Sequence, residues 1–160
     1  MEHRIRAAGI LIRHDAILLL RIEDETGEYW VPPGGGFEPE DVTSKGCLRR
    51  EYFEEAGIET TIGELICVRE FLECETNRYN IELYYHVTNY TGEPHLENLE
   101  GLNDESVIQA VEWVPFSELH QRRSYPDDLL YLVDKVRQKD FSHHVGSYIQ
   151  GPDETMNRLI

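Results

Sequence analysis

Glu51, Glu54 and Glu55 stand three and four residues apart in the stretch LRREYFEEAGIE. Each helical residue rotates the chain by about 100°, so these offsets gather three carboxylates within one face. Like charges at this spacing each cost a few tenths of a kcal/mol. Glu54 and Glu55 also fall in the last turn before Gly57, where the helix dipole favours cations. Arg50 precedes Glu54 by four residues, the weaker order for a helical ion pair, and no basic residue occupies positions 54, 55, 58 or 59. Compensation must therefore come from outside the helix. Oxygen ligands of this kind suit Mg²⁺ or Mn²⁺, which keep several waters and commonly bridge to substrate phosphates. The plainer alternative is a solvated acidic helix face.

The segment VPPGGGFEPED runs directly into these acids. Gly34, Gly35 and Gly36 remove side chains where the backbone must bend or approach a ligand, and they leave carbonyls free to join the carboxylates around one ion. Around this device the sequence predicts a series of elements. RIRAAGILIR and AILLLRIE read as a strand, a tight turn at His14 and Asp15, and a second strand. A short extended piece follows near Tyr29 to Val31. The helix spans Thr43 to Ala56, with Thr43 or Ser44 as N-cap and Gly57 as the residue that ends it. Strands follow in TTIGELICVREFLEC, YNIELYYHVTNY and SVIQAVEWVPF, with a polar turn near Thr76 to Arg78. FSELHQ reads as a helical turn. Pro126 opens a final amphipathic helix with Leu129, Leu130, Val133 and Val136 on one face. The pattern predicts a mixed sheet with helices on both faces, α/β or α+β.

The chain has 160 residues, 40% hydrophobic and 29% charged, which predicts one globular domain over 1–160, with residues from about 141 as a candidate tail. A net charge of −16 argues against general binding to DNA or to an anionic membrane. An anionic substrate would need local rescue, for which divalent cations are suited. Cys47, Cys67 and Cys74 are odd in number and lack paired spacing, so neither a disulfide framework nor a zinc site is expected, and a reducing cytoplasm fits best. The apolar runs are shorter than the roughly 18 residues of a membrane span, and no targeting segment is read.

Gly35, five residues, Asp41, eight residues, and then REYFEEAGI from Arg50 to Ile58 resemble the box of the Nudix hydrolases. The family pattern has Glu at the place of Asp41 and one residue fewer before Arg-Glu, so Val42 is the candidate insertion. The box covers about a seventh of the chain, but the flanking strands and VEWVPFSEL follow the family's order. The resemblance implies an α/β/α sandwich and a Mg²⁺- or Mn²⁺-dependent pyrophosphohydrolase acting on a nucleoside diphosphate derivative. It implies Glu51, Glu54, Glu55 and the Gly34 carbonyl as metal ligands, and Gly35, Gly36 and Glu38 as box-loop residues. Arg50 would brace that loop against the helix. The proton acceptor is Glu51 or an acid of ENLEGLNDES, with Glu105 named for that role; Glu54 is included among the catalytic set.

Arg4, Arg6 and Arg21 on the first strands are candidate phosphate contacts through their planar forks, against the alternative of ordinary surface arginines. Tyr29 and Trp30 are candidates for stacking on a base or for core packing. His143 and His144 read as a solvated tail, and Tyr79, Tyr84, Tyr85 and Tyr90 as divided between core and cleft. The alternatives to a hydrolase of nucleoside diphosphate derivatives are an isomerase or an RNA 5′-end pyrophosphohydrolase using the same metal helix, the RNA reaction disfavoured by the acidic chain and the lack of a basic stripe, and a Nudix-like ligand-sensing module without catalysis. A small-molecule partner is expected, with a homodimer left open.

Overall fold

In a computed structural model, which describes residues 1–153 and 155–159, the first two apolar runs separate into different sheets. β1 (Glu2–Ile10) is buried from Ala7 to Ile10 on both faces, which makes it a central strand needing neighbours on each edge. Only β2 (Ile12–Arg13) turns back on β3 (Ala16–Asp24), through His14 at φ 53°. The expected hairpin thus survives only at its tip. β4 (Gly27–Val31) pairs antiparallel with β3, and β5 (Gly34–Gly36) pairs antiparallel with β1, Ala8 opposite Gly34. After α1 (Ser44–Ala56) come the long antiparallel strands β6 (Glu59–Glu73) and β7 (Arg78–Thr91). β8 (Ile108–Pro115) pairs with β3, and α2 (Leu129–Gln138) follows.

One sheet is therefore mixed, in the order β5-β1-β7-β6 with β1 and β7 parallel; the other is antiparallel around β3. Alternation along the strands sends side chains to opposite faces. Ala7, Leu11, Leu18 and Tyr85 pack with Leu48 and Tyr52 of α1, whereas Ile10, Ile17, Leu19 and Tyr84 pack with Leu129, Leu132 and Val133 of α2. The result is the α/β/α sandwich, with two sheets in its middle layer. On α2 the buried face carries Leu132 in place of the expected Leu130, which is 42% exposed. The helix begins only at Leu129, so Pro126 lies before its first turn. Beyond α2, Phe141 stacks on His86, the Ser142 N–H donates to Leu65 O, and β9 (Tyr148–Gln150) pairs with β10 (Met156–Arg158).

Candidate active site

α1 is fixed at both ends. The Thr43 hydroxyl accepts from the Gly46 N–H at 2.9 Å, and Gly57, at φ 70°, donates its N–H to Phe53 O. The Asn98 side-chain amide and the His95 N–H donate to Phe53 O and Ala56 O, both at 2.9 Å. These donors occupy the last carbonyls, the groups whose partial charge opposes Glu54 and Glu55.

Arg50 supplies the charge compensation that helical spacing did not reveal. Its Nη1 lies 2.9 Å from Glu51 Oε1 and 3.1 Å from Glu54 Oε2. Its Nη2 donates to Gly36 O at 3.0 Å, a contact between the glycine loop and the helix. Its remaining edge takes Asp41 bidentately, Nε to Oδ1 at 2.8 Å and Nη2 to Oδ2 at 3.0 Å. Val42, the candidate insertion, follows Asp41 directly. At φ 61° and ψ −42° Val42 makes a γ-turn, closed by the Thr43 N–H donating to Asp41 O at 2.6 Å. Glu38 lies 3.8 Å from Arg50 and forms a capping box with Asp41.

Glu51 and Glu55 are buried and line a cleft of about 1220 Å³ between the sheets; Glu54 is half-exposed and outside its lining. A Cβ at Gly35 would meet the Glu51 carboxylate, so a larger residue there would have to displace that side chain. Burial raises the Glu51 carboxyl to about 7 against the opposing pull of Arg50, with Glu54 and Asp104 adding to the rise. Burial, and then the Glu51 charge, push Glu55 well above the carboxylate range, while the Gly34 N–H, 2.9 Å from Oε2, pulls the other way. Among the described residues no Lys, Arg or His nitrogen comes within 4.0 Å of Glu55. A buried carboxylate without a cation is costly, and an all-oxygen donor set suits Mg²⁺ or Mn²⁺. The pocket is nevertheless no ready-made cage: among the described residues no three acidic, His or Cys side chains converge as a metal cluster. The Gly34 carbonyl has the Arg6 guanidinium at 3.5 Å. Glu51 and Glu54 each give one carboxylate oxygen to Arg50, which leaves the other oxygen of each for an ion.

The other expected residues divide. Arg4 and Arg6 line the cleft, and among the described residues no carboxylate comes within ion-pair distance of Arg4. Arg6 is held by buried Glu82 at 2.8 Å. Arg21 turns away to Glu28 at 3.0 Å and Glu112 at 3.9 Å. Trp30 is a core residue whose indole N–H donates to Glu112, whereas its neighbour Tyr29 lines the cleft. His144 packs edge-on against Tyr85, so only His143 of that pair is free of the core. Glu105 is exposed, and its carboxylate accepts from the Gly101 N–H at 2.9 Å; its neighbour Asp104 lines the cleft and acts electrostatically on Glu51 and Glu55. Arg123 and Tyr125 also line the cleft without having been singled out in the sequence. Their signal was the adjacent pair Arg122-Arg123: Arg122 lies over Trp30 and pairs with Glu118, which leaves Arg123 for the other side.

The sequence matches the NUDIX domain family over residues 3–134. The chain belongs to the Nudix family. It is similar to diphosphoinositol polyphosphate phosphohydrolase 3-alpha of mouse and of human, 40% identical over 58 residues, 36% of this chain and 34% of theirs. The rat diphosphoinositol polyphosphate phosphohydrolase 2 is 37% identical over 68 residues, 41% of this chain and 37% of its own length. The chain thus spans about a third of the length of the curated relatives it matches. Among solved structures, the MutT NUDIX hydrolase from Burkholderia pseudomallei shares the fold with a TM-score of 0.68 at 22% identity, over 85% of this chain and 99% of that one. The E. coli ORF135 protein aligns with a TM-score of 0.67 at 25% identity, over 88% and 93%. Among the described residues no helix is long and apolar enough to cross a membrane.

Proposed function

We propose that this chain is a metal-dependent pyrophosphohydrolase of a nucleoside diphosphate derivative. The observation that carries the reading is Glu55, buried at the cleft wall beside Glu51 with no Lys, Arg or His nitrogen among the described residues within 4.0 Å. Mg²⁺ or Mn²⁺, when bound, neutralises diphosphate charge and acidifies the attacking water. Glu51 and Glu55, which face the cleft, would hold the ion, and Glu54 would contribute the carboxylate oxygen that Arg50 leaves free. Arg4 and Arg6 are placed for the phosphate oxygens. Asp104 or Glu51 accepts the proton as the water oxygen forms a bond to phosphorus and the bridging P–O bond breaks, leaving its electron pair on the departing phosphate. Seven carboxylates line the cleft against three guanidiniums, those of Arg4, Arg6 and Arg123. That balance favours a substrate with one diphosphate linkage over a ring bearing many phosphates.

The test is a panel of nucleoside diphosphate derivatives and one inositol pyrophosphate, incubated with Mg²⁺ or Mn²⁺ and resolved for products. Two phosphorylated products from a nucleotide, abolished by chelator and by Glu55→Gln, support the reading. Binding without turnover across the panel would establish a ligand-sensing module instead.

A further inference from the structure

β6 is the outer strand of its sheet and is 15 residues long. An outer strand presents a row of unpaired N–H and C=O groups, which proteins blunt with lysine, proline, bulges or a covering segment. The chain covers the first part itself: beyond α2 the Ser142 N–H donates to Leu65 O at 2.8 Å and the Ser142 hydroxyl to Ile66 O at 2.9 Å. The register shifts of β6 also lie before Cys67. The stretch Cys67–Glu73 has none of these guards. CVREFLE contains no Lys, Pro or Gly, and among the described residues no segment but β7 pairs with it. Its apolar side chains are equally bare, Val68 at 54%, Leu72 at 45% and Phe71 at 36% exposure.

The stretch is also its own complement. Opposite residues of an antiparallel pair share a face, so a two-fold axis relating two such strands passes through a residue. With Phe71 on the axis, Arg69 of each copy lies opposite Glu73 of the other, Glu70 opposite Leu72, and Val68 opposite Cys74. Opposite charges facing across strands stabilise the pair, and like charges oppose it. An axis at Arg69, Glu70 or Glu73 sets that residue against its own charge. An axis at Leu72 carries Arg69 past the end of the strand, and one at Val68 runs into the part that Ser142 covers. Arg69 and Glu73 keep 38% and 34% of their side chains exposed for the contact. Between chains of net charge −16, association needs such local pairing. We propose that two copies of this chain pair antiparallel along Cys67–Glu73, about a two-fold axis at Phe71, joining their four-stranded sheets into one of eight strands. Glu73 lines the cleft. Because the axis stands normal to the sheet, the two clefts open on the same side of the dimer.

Sedimentation equilibrium of the full chain should show monomer and dimer in exchange. Glu73→Arg sets like charge against Arg69 of the second copy, and Arg69→Glu sets like charge against its Glu73. Each variant alone should be monomeric, and an equimolar mixture of the two should dimerise again. Glu70→Arg, which falls opposite Leu72, should leave the dimer in place. A parent that stays monomeric at every concentration, a dimer that survives Glu73→Arg, or a mixture that stays monomeric overturns the proposal. Should Arg69→Glu fail to fold for want of its bond to buried Glu82, Glu73→Arg and Glu70→Arg decide: dissociation by both or by neither overturns the proposal, and dissociation by Glu73→Arg alone supports it.

Discussion

Asp41 receives the guanidinium of Arg50 on both carboxylate oxygens, at 2.8 and 3.0 Å, across nine residues of sequence. The contact ties the loop to the helix that carries the acids. Burial alone would raise the Asp41 carboxyl, but hydrogen bonds from Arg50 and from the Glu38 N–H, with the Arg50 charge, outweigh it and hold the group below its usual range. A depressed folded pKa contributes stability above the unfolded value, about 3.9, and that stability is lost as pH falls through the folded value. Asp41→Asn should therefore cost about 2–3 kcal/mol at pH 7. Urea melts at a series of pH values should show the gap between the two proteins closing below about pH 4. A gap independent of pH would assign the cost to packing.

Val42 stores strain in the same loop. A β-branched residue at positive φ is disfavoured, and such a position costs about 1–3 kcal/mol. The Val42 side chain is exposed and forms no part of the core, so its loss removes little packing. Val42→Gly should raise stability by about 1 kcal/mol after the entropy cost of glycine is deducted. Chemical denaturation checks this, and hydrolysis by the variant should match the parent because the turn is preserved.

The helix and its caps were legible in the sequence because Thr43 and Gly57 act within one turn of their own positions. The box residues were legible for the same reason: their spacing is local. The two sheets were not, because AAGIL buried on both faces reads alike whether its partner is the next strand or β7, some seventy residues away. Arg50 was underestimated because helical offsets do not describe an adjacent side chain that folds back on Glu51. Asp104 and Glu105 could not be told apart: consecutive acids in a turn differ only in direction, which the Gly101 N–H and the loop's path decide.

Glu55→Gln separates structure from metal binding. Replacing a carboxyl whose ionised form is opposed by burial and by Glu51 should leave the chelated protein as stable as the parent or more stable by up to about 1 kcal/mol. Mg²⁺ at about a hundred times its dissociation constant should stabilise the parent by about 2.7 kcal/mol, and the variant scarcely at all. Thermal melts with chelator and with Mg²⁺ read both effects. A variant that melts well below the parent in chelator would show Glu55 to be a structural carboxylate.

Asp104 and Glu105 give opposite expectations for the proton acceptor. Asp104 lines the cleft close enough to act on Glu51 and Glu55, while Glu105 is occupied with the Gly101 N–H at the surface. If Asp104 takes the proton, Asp104→Asn should lower kcat by roughly two to four orders of magnitude with metal affinity nearly unchanged. Glu105→Gln should leave turnover within a few-fold of the parent, since its amide oxygen can still accept from Gly101. Glu51→Gln should instead weaken metal binding and turnover together, being both a cleft carboxylate and the partner of Arg50. Single-turnover rates and metal titrations on the three variants distinguish these outcomes. A full-speed Asp104→Asn enzyme returns the role to Glu51, and a crippled Glu105→Gln enzyme would mean that the 100–107 loop turns over when substrate binds.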